Sequence, residues 1–275
     1  MLLFSQIHWE AKDISIKNIA KEMNIGLNSI AFIDDSIFER NLVLENCPGV
    51  RVYDEVKLSL LDLNDFKIDA TEQTLKRKES YISERARQKS FSQTKKSLKD
   101  FLRGCNMKIE ILPIEMHFDR CLELMQRTNQ FNISGKKYNS KEFQSILSKN
   151  NSFCWRVIDR YGDYGIVGLM IYEIENKAVR VKEFTLSCRV ASKYVEEELL
   201  NWFLRELNQQ ITKLIIIFND SGRNKPIKDK FFELGFVQEA STTKKENQLV
   251  IDKDQLFLRE SILEVSSFYR GIFEQ

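Results

Sequence analysis

Two apolar runs around one short polar turn constrain this chain more than any other stretch. Phe153-Cys154-Trp155-Arg156-Val157-Ile158-Asp159 and Gly165-Ile166-Val167-Gly168-Leu169-Met170-Ile171-Tyr172 flank Arg160-Tyr161-Gly162-Asp163. Each run has strand length, and the turn carries residues that tight connections favour, so a β-hairpin is predicted. Around it the pattern is α+β. Lys108 to Leu112 alternates as a strand, and Phe118 to Arg127 has helical spacing. After the hairpin come a strand over Val179–Cys188, a helix over Tyr194–Leu207, and a strand over Lys213–Phe218. A helix over Pro226–Leu234 follows, then a closing strand pair near Phe236 and Leu249–Ile251.

The first segment has a different rhythm. Ile14, Ile16, Ile19, Ala20 and Met23 recur at helical spacing, and Asn24-Ile25-Gly26 supplies a stop. Ser29–Ile33 reads as a short strand ending in Asp34-Asp35, Phe38–Glu45 as a helix, and Val50–Tyr53 as a second strand. Helix–strand–helix–strand at this spacing predicts a parallel α/β sheet, whose ligands sit at the carboxyl ends of strands. Between the two regions Lys76, Arg77, Lys78, Arg85, Arg87, Lys89, Lys95, Lys96 and Lys99 crowd a stretch poor in large apolar residues. It reads as exposed helices, either a solvated face or a docking surface for an acidic partner. No base-stacking aromatic pattern accompanies the charge, which argues against nucleic acid. The expected organisation is a partial α/β domain over residues 1–66, a basic helical linker over 67–104, and an α+β domain over 105–275.

Composition narrows the function classes. Leu214–Phe218, the longest apolar run without glycine, is far short of the ~18 residues that a membrane span needs, as are the hairpin runs. Five cysteines, Cys47, Cys105, Cys121, Cys154 and Cys188, are an odd number without metal-ligand spacing, so free thiols in a reducing cytoplasm are expected. The two histidines, His8 and His117, lie too far apart in sequence to suggest a zinc site.

Several motifs resemble one family. Lys225-Pro226-Ile227-Lys228-Asp229-Lys230-Phe231-Phe232-Glu233-Leu234-Gly235-Phe236 looks like the late helix of the GNAT acyl-CoA acyltransferase superfamily. Denser matches are Thr128-Asn129-Gln130-Phe131-Asn132-Ile133-Ser134, Gly162-Asp163-Tyr164-Gly165-Ile166-Val167-Gly168 and Ser187-Cys188-Arg189-Val190. In that order they resemble FkbH-like proteins, which join a HAD-type phosphatase domain to a GNAT-like acyltransferase domain. Trp9-Glu10-Ala11-Lys12 and Phe32-Ile33-Asp34-Asp35-Ser36 resemble the last HAD motifs of the same family. The family's D-x-D nucleophile motif would lie upstream of Met1. The resemblance therefore implies a truncated member whose HAD part is inactive alone, with Asp34 and Asp35 as Mg²⁺ ligands and Lys12 for phosphate. Mg²⁺ would be needed only if a separate chain supplies the missing half.

For the second domain the resemblance implies transfer of a glyceryl-type acyl group to an acyl carrier protein. The carrier's phosphopantetheine arm would occupy the cleft otherwise used by CoA. Cys188 would be the relay nucleophile, with Asn129, Asn132, Arg189, Ser192, Lys193 and Asn224 binding substrate. Both glycines of the superfamily's pyrophosphate loop are replaced here, by Ser192 and Tyr194. From the residues alone, Cys188 reads equally as a small packing residue. Asn129, Gln130 and Asn132 could line a pocket or cap backbone groups, and Asp163 reads first as a turn residue. Strand alternation puts Glu183 and Cys188 on opposite faces unless a bulge intervenes. His117 reads as structural. Two rival functions are an acyl-CoA-dependent N-acyltransferase and a catalytically silent carrier-binding module. A homodimer is a further expectation.

Overall fold

The computed structural model describes residues 6–8, 10–23, 25–54, 72–191, 193–207, 209–240, 247–256 and 261–267. The chain divides into two compact units, Met1–Gln88 and Lys89–Gln275.

In the first unit, helix α1 (Lys12–Met23), strand β1 (Ala31–Ile33), helix α2 (Ile37–Asn46) and strand β2 (Arg51–Tyr53) follow the expected order. β1 and β2 pair in parallel, Ala31 with Arg51 through Ile33 with Tyr53. Among the described residues the core cluster of this unit is Ile16, Val43, Cys47 and Val50, with Leu27, Ile30, Phe32 and Val52 packed on it. α2 starts where Ser36 accepts a hydrogen bond from the Glu39 amide, an N-cap that satisfies one orphan donor. Helix α3 (Glu72–Ser92) carries much of the basic stretch. One of its cations departs from a solvated face: Arg87 is buried and ion-paired with Glu84, so its stem and charge both have internal partners.

The second unit is mixed α/β. Its elements are α4 (Leu98–Arg103), β3 (Lys108–Leu112), α5 (Phe118–Arg127), α6 (Ser140–Leu147), β4 (Asn151–Asp159), β5 (Gly162–Glu175) and β6 (Ala178–Leu186). Then come α7 (Val195–Glu206), β7 (Lys213–Phe218), α8 (Lys225–Glu233), β8 (Val237–Ala240), β9 (Asn247–Asp252), α9 (Lys253–Leu256) and β10 (Glu264–Ser267). One eight-stranded sheet orders them β10-β3-β4-β5-β6-β7-β9-β8. β3 to β6 form an antiparallel meander, while β6 and β7 are parallel across the α7 crossover.

The hairpin forms because Asp159, not Asp163, makes the turn: its Oδ1 accepts the amides of Tyr161 and Gly162 at 2.9 and 3.1 Å. Asp163 holds Arg156 across the pair through both carboxylate oxygens, at 3.0 and 2.6 Å, and its Oδ1 also accepts the Gly165 amide at 2.6 Å. Period-2 alternation sends Phe153, Trp155, Met170 and Tyr172 into the core that also holds Phe203 and Phe231, and Cys154, Leu169 and Ile171 into the core that also holds Cys121 and Phe143. Each such buried aromatic or aliphatic side chain contributes about 1.5–3 kcal/mol.

α6 and β10 lay outside the sequence reading. α6 is announced by Asn139 and Glu142, which form a capping box. β6 ends at Leu186 rather than Cys188. The Ser187 amide bonds Val167 O at 2.7 Å, and the Val190 amide then returns to Ser187 O at 3.1 Å, closing a turn.

Candidate functional site

The site grows from two irregularities in β6. The first is a β-bulge. Ile171 pairs with Glu183 but Tyr172 with Val181, leaving Lys182 as an extra residue. Val179 and Val181 face the α7 side, and beyond the bulge Phe184 and Leu186 take over that face. Glu183 and Thr185 are thereby turned to the α5 side, where Thr185 meets the sulfur of Met125 on α5 at 2.9 Å. Glu183 is fully buried, with Oε1 accepting from the Tyr138 hydroxyl at 2.5 Å and Oε2 unpartnered. Burial pushes its carboxyl pKa up, against the pull of Ser134, Tyr138 and Lys136.

The second irregularity is a divergence. β6 pairs with β7 only from Ala178 with Lys213 to Val181 with Ile216. Above that point the Phe131–Ile133 segment takes the place beside β6. Ile133 donates to Phe184 O at 3.1 Å, and Leu186 donates to Phe131 O at 2.9 Å. On its other edge Asn219 donates to Ile133 O at 3.0 Å. The chain's own backbone thus fills the gap between the two strands.

The asparagines that looked like substrate ligands build this filling. Asn132 is fully buried, and its Oδ1 accepts the amides of Ser134 and Gly135 at 3.1 and 2.9 Å. Asn224, also fully buried, donates to the carbonyls of Asn132, Ile133 and Asn219 at 2.9, 3.3 and 2.9 Å. Its Oδ1 accepts the Ser221 amide at 3.0 Å. Both side chains are spent on backbone, the capping role rather than a ligand role. Asn129 is exposed beside them.

Cys188 sits in the turn between β6 and α7 and is exposed, whereas Cys47, Cys105, Cys121 and Cys154 are buried. Crowding atoms disfavour its thiolate and push the thiol pKa up, while Arg189 and Lys193 pull it down. Arg189 Nε donates to Ser187 Oγ at 3.2 Å, which fixes the guanidinium near the turn. Ser192 lies outside the described residues. Tyr194, the N-cap of α7, has φ 63° and ψ 10°. The backbone there keeps the left-handed conformation that suits glycine, although the residue is tyrosine.

α7 opens with Glu196, Glu197 and Glu198. Three carboxylates at a helix N-terminus already satisfy its positive end, which leaves little attraction for a phosphate there. Glu198 accepts the Ile262 amide and the Ser261 hydroxyl, each at 2.6 Å. Glu196 is 1% exposed with Oε2 unpartnered. A groove of about 350 Å³ lies against it, lined by Leu98, Phe131, Tyr194, Glu196, Pro226, Lys230 and Glu233. Glu196, Lys230 and Tyr138 are residues that sequence reasoning missed. The run of three glutamates at a helix start was the one available signal.

In the first unit Asp34 and Asp35 follow β1 as expected. Asp34 Oδ1 accepts the Ser36 amide at 2.9 Å, and Arg40 donates to the carbonyls of Asp34 and Asp35 at 2.7 and 2.9 Å. Lys12 is exposed at the start of α1. Among the described residues, no group of three or more His, Cys, Asp or Glu side chains is placed to hold a metal ion. No helix of the described residues is long and apolar enough to cross a membrane.

No protein-family model matches the chain, and no curated protein matches it. Solved structures resemble about half of it. A domain from Methanocaldococcus jannaschii shares 16% identity with a TM-score of 0.43, covering 53% of this chain and 99% of its own. An acetyltransferase of the GNAT family from Bacillus anthracis shares 13% at a TM-score of 0.39, covering 54% and 96%. The aminoglycoside acetyltransferase AAC(6')-Ib, in complex with coenzyme A, shares 12% at 0.40, covering 54% and 96%.

Proposed function

We propose that the Lys89–Gln275 unit is a GNAT-like acyltransferase of the FkbH-like kind, which receives an acyl group from a phosphopantetheine thioester on Cys188 and passes it to a carrier-protein thiol. The observation that carries this reading is the accessibility of one thiol among five: Cys188 alone is exposed, on the turn between β6 and α7. In the first step the Cys188 sulfur attacks the thioester carbonyl, its proton goes to solvent base, and the donor thiol departs. In the second step the acceptor thiolate attacks the new thioester and Cys188 leaves as thiolate. The thiol's raised pKa makes the first step faster as pH rises. A glyceryl-type acyl group, an acyl carrier protein as partner and a HAD-like origin for the first unit are finer parts of the same proposal. Parallel pairing of β1 with β2, and Asp34-Asp35 at the end of β1, support the last of these.

A second reading has its own observation. Phe131–Ile133 fills the β6–β7 gap where a thioester arm could pair with β6, which favours a silent carrier-binding module. One experiment separates the two. The protein is incubated with a glyceryl thioester of phosphopantetheine, then with a carrier protein, and intact mass is followed. One acyl group on Cys188, its later arrival on the carrier and the loss of both in Cys188→Ala support the relay. Carrier binding without any acyl adduct supports the silent module. Adduct-free transfer from acyl-CoA to an amine, unchanged in Cys188→Ala, supports direct N-acyl transfer.

A further inference from the structure

The groove at the start of α7 has an unusual lining for a helix N-terminus. Backbone amides and the helix dipole make such a place attractive to anions, yet the side chains here reverse that polarity. Glu196 projects from the first turn, is 1% exposed, and has a carboxylate oxygen, Oε2, with no hydrogen-bond partner. A buried carboxylate oxygen without a partner has lost its water and gained nothing in return, a cost that a hydrogen-bond donor would remove. Glu233 adds a second carboxylate at the groove wall, and Tyr194 and Phe131 add two aromatic rings.

Lys230 shows which chemistry this lining accepts. Its ammonium lies 3.5 Å from Glu196 Oε1, 3.4 Å from Glu233 Oε2 and 5.8 Å from the centre of the Tyr194 ring. Two carboxylates and an aromatic face are the surroundings that an ammonium prefers. Lys230 uses Oε1 and leaves Oε2 unused. Burial pushes the Glu196 carboxyl pKa up while Lys230 pulls it down, and a cation at Oε2 would favour the ionised form further. Leu98 and Pro226 supply apolar wall for a short hydrocarbon body.

We propose that the groove between the N-terminus of α7 and α8 is a binding site for a primary alkylammonium ligand, whose head group meets Glu196 and whose chain lies against Leu98, Phe131 and Pro226. The site does not include Cys188, which is absent from the lining, so it stands or falls separately from the acyl relay.

The test uses n-hexylamine as the probe, with n-hexanol and inorganic pyrophosphate as comparisons, on the full chain by calorimetric titration. Hexylamine is expected to bind saturably with one site, and hexanol at least tenfold more weakly. Pyrophosphate is expected to give no signal. Glu196→Gln keeps the shape, removes the charge and is expected to weaken hexylamine at least tenfold. Lys230→Met removes the internal competitor and is expected to tighten hexylamine several-fold, a gain that a merely damaged fold would not produce. Equal binding of hexanol, binding of pyrophosphate at the hexylamine level, or weaker amine binding in Lys230→Met would each overturn the proposal. If Glu196→Gln fails to fold, the Lys230→Met arm and the hexanol comparison still decide the outcome.

Discussion

At the scale of single residues, burial decides which of several equivalent side chains can act. Five cysteines look alike in sequence, but only Cys188 is exposed. Iodoacetamide is therefore expected to alkylate Cys188 well ahead of the other four. Because its pKa lies above the ordinary thiol value of 9.0, the rate should still be climbing at pH 9, and a plateau below that pH in a stopped alkylation series would contradict the shift. As an exposed substitution, Cys188→Ala should change stability by no more than about 0.5 kcal/mol in urea unfolding. Glu183 gives the complementary prediction. Its carboxyl pKa is raised in the folded protein by desolvation, so the folded state holds a proton that the unfolded chain releases. That contribution is complete below the unfolded value of about 4.3 and is lost as pH rises through the folded value. Glu183→Gln should flatten this decline, measured as melting temperature against pH. An unchanged slope would mean that Glu183 is not the group responsible.

Elements make their own demands, which become visible where strands meet. Gly168 on β5 lies opposite Trp155 on β4. A Cβ there would come within 2.1 Å of the Trp155 ring and 2.7 Å of Thr185 O. Gly168→Ala should consequently cost about 1–3 kcal/mol through overpacking, read from the urea midpoint. The Phe131–Ile133 segment depends on Asn224 in the same way, since one amide group serves three carbonyls. Asn224→Ala leaves those buried acceptors unpaired, an expected loss of about 1–3 kcal/mol. Hydrogen exchange should also accelerate at the Ile133 and Leu186 amides. Acceleration spread evenly over the sheet would argue against a local role.

Across the whole molecule, the two units differ in how much core they hold. Among the described residues, the Met1–Gln88 unit has one small cluster of Ile16, Val43, Cys47 and Val50, while the second unit has a large aromatic and aliphatic cluster on one face of its sheet and a smaller one on the other face of β4 and β5. Local opening follows buried apolar contact, so amides of α1, β1, α2 and β2 should exchange at lower denaturant than those of β4 to β6. Much of this architecture was legible in the sequence. The bounds of α5 follow from helical spacing, those of β7 from a short continuous apolar run, the β4–β5 hairpin from its turn, and parallel pairing of β1 with β2 from helix–strand alternation. These are local signals, in which side-chain spacing and turn chemistry act within one element. The candidate site was legible only in part, because its parts are joined by non-local contacts. Asn132 and Asn224 are 92 residues apart, and their bond exists only after β6 and β7 diverge. A single extra residue, Lys182, turned Glu183 to the α5 face, and no pattern within β6 announces that bulge. The sequence by itself determined most of the elements, because spacing and turn chemistry act within each of them. Tertiary structure alone decided which cysteine is exposed, which asparagines are spent on backbone and which glutamate lines the groove, because burial and partnership are set by what lies across the fold.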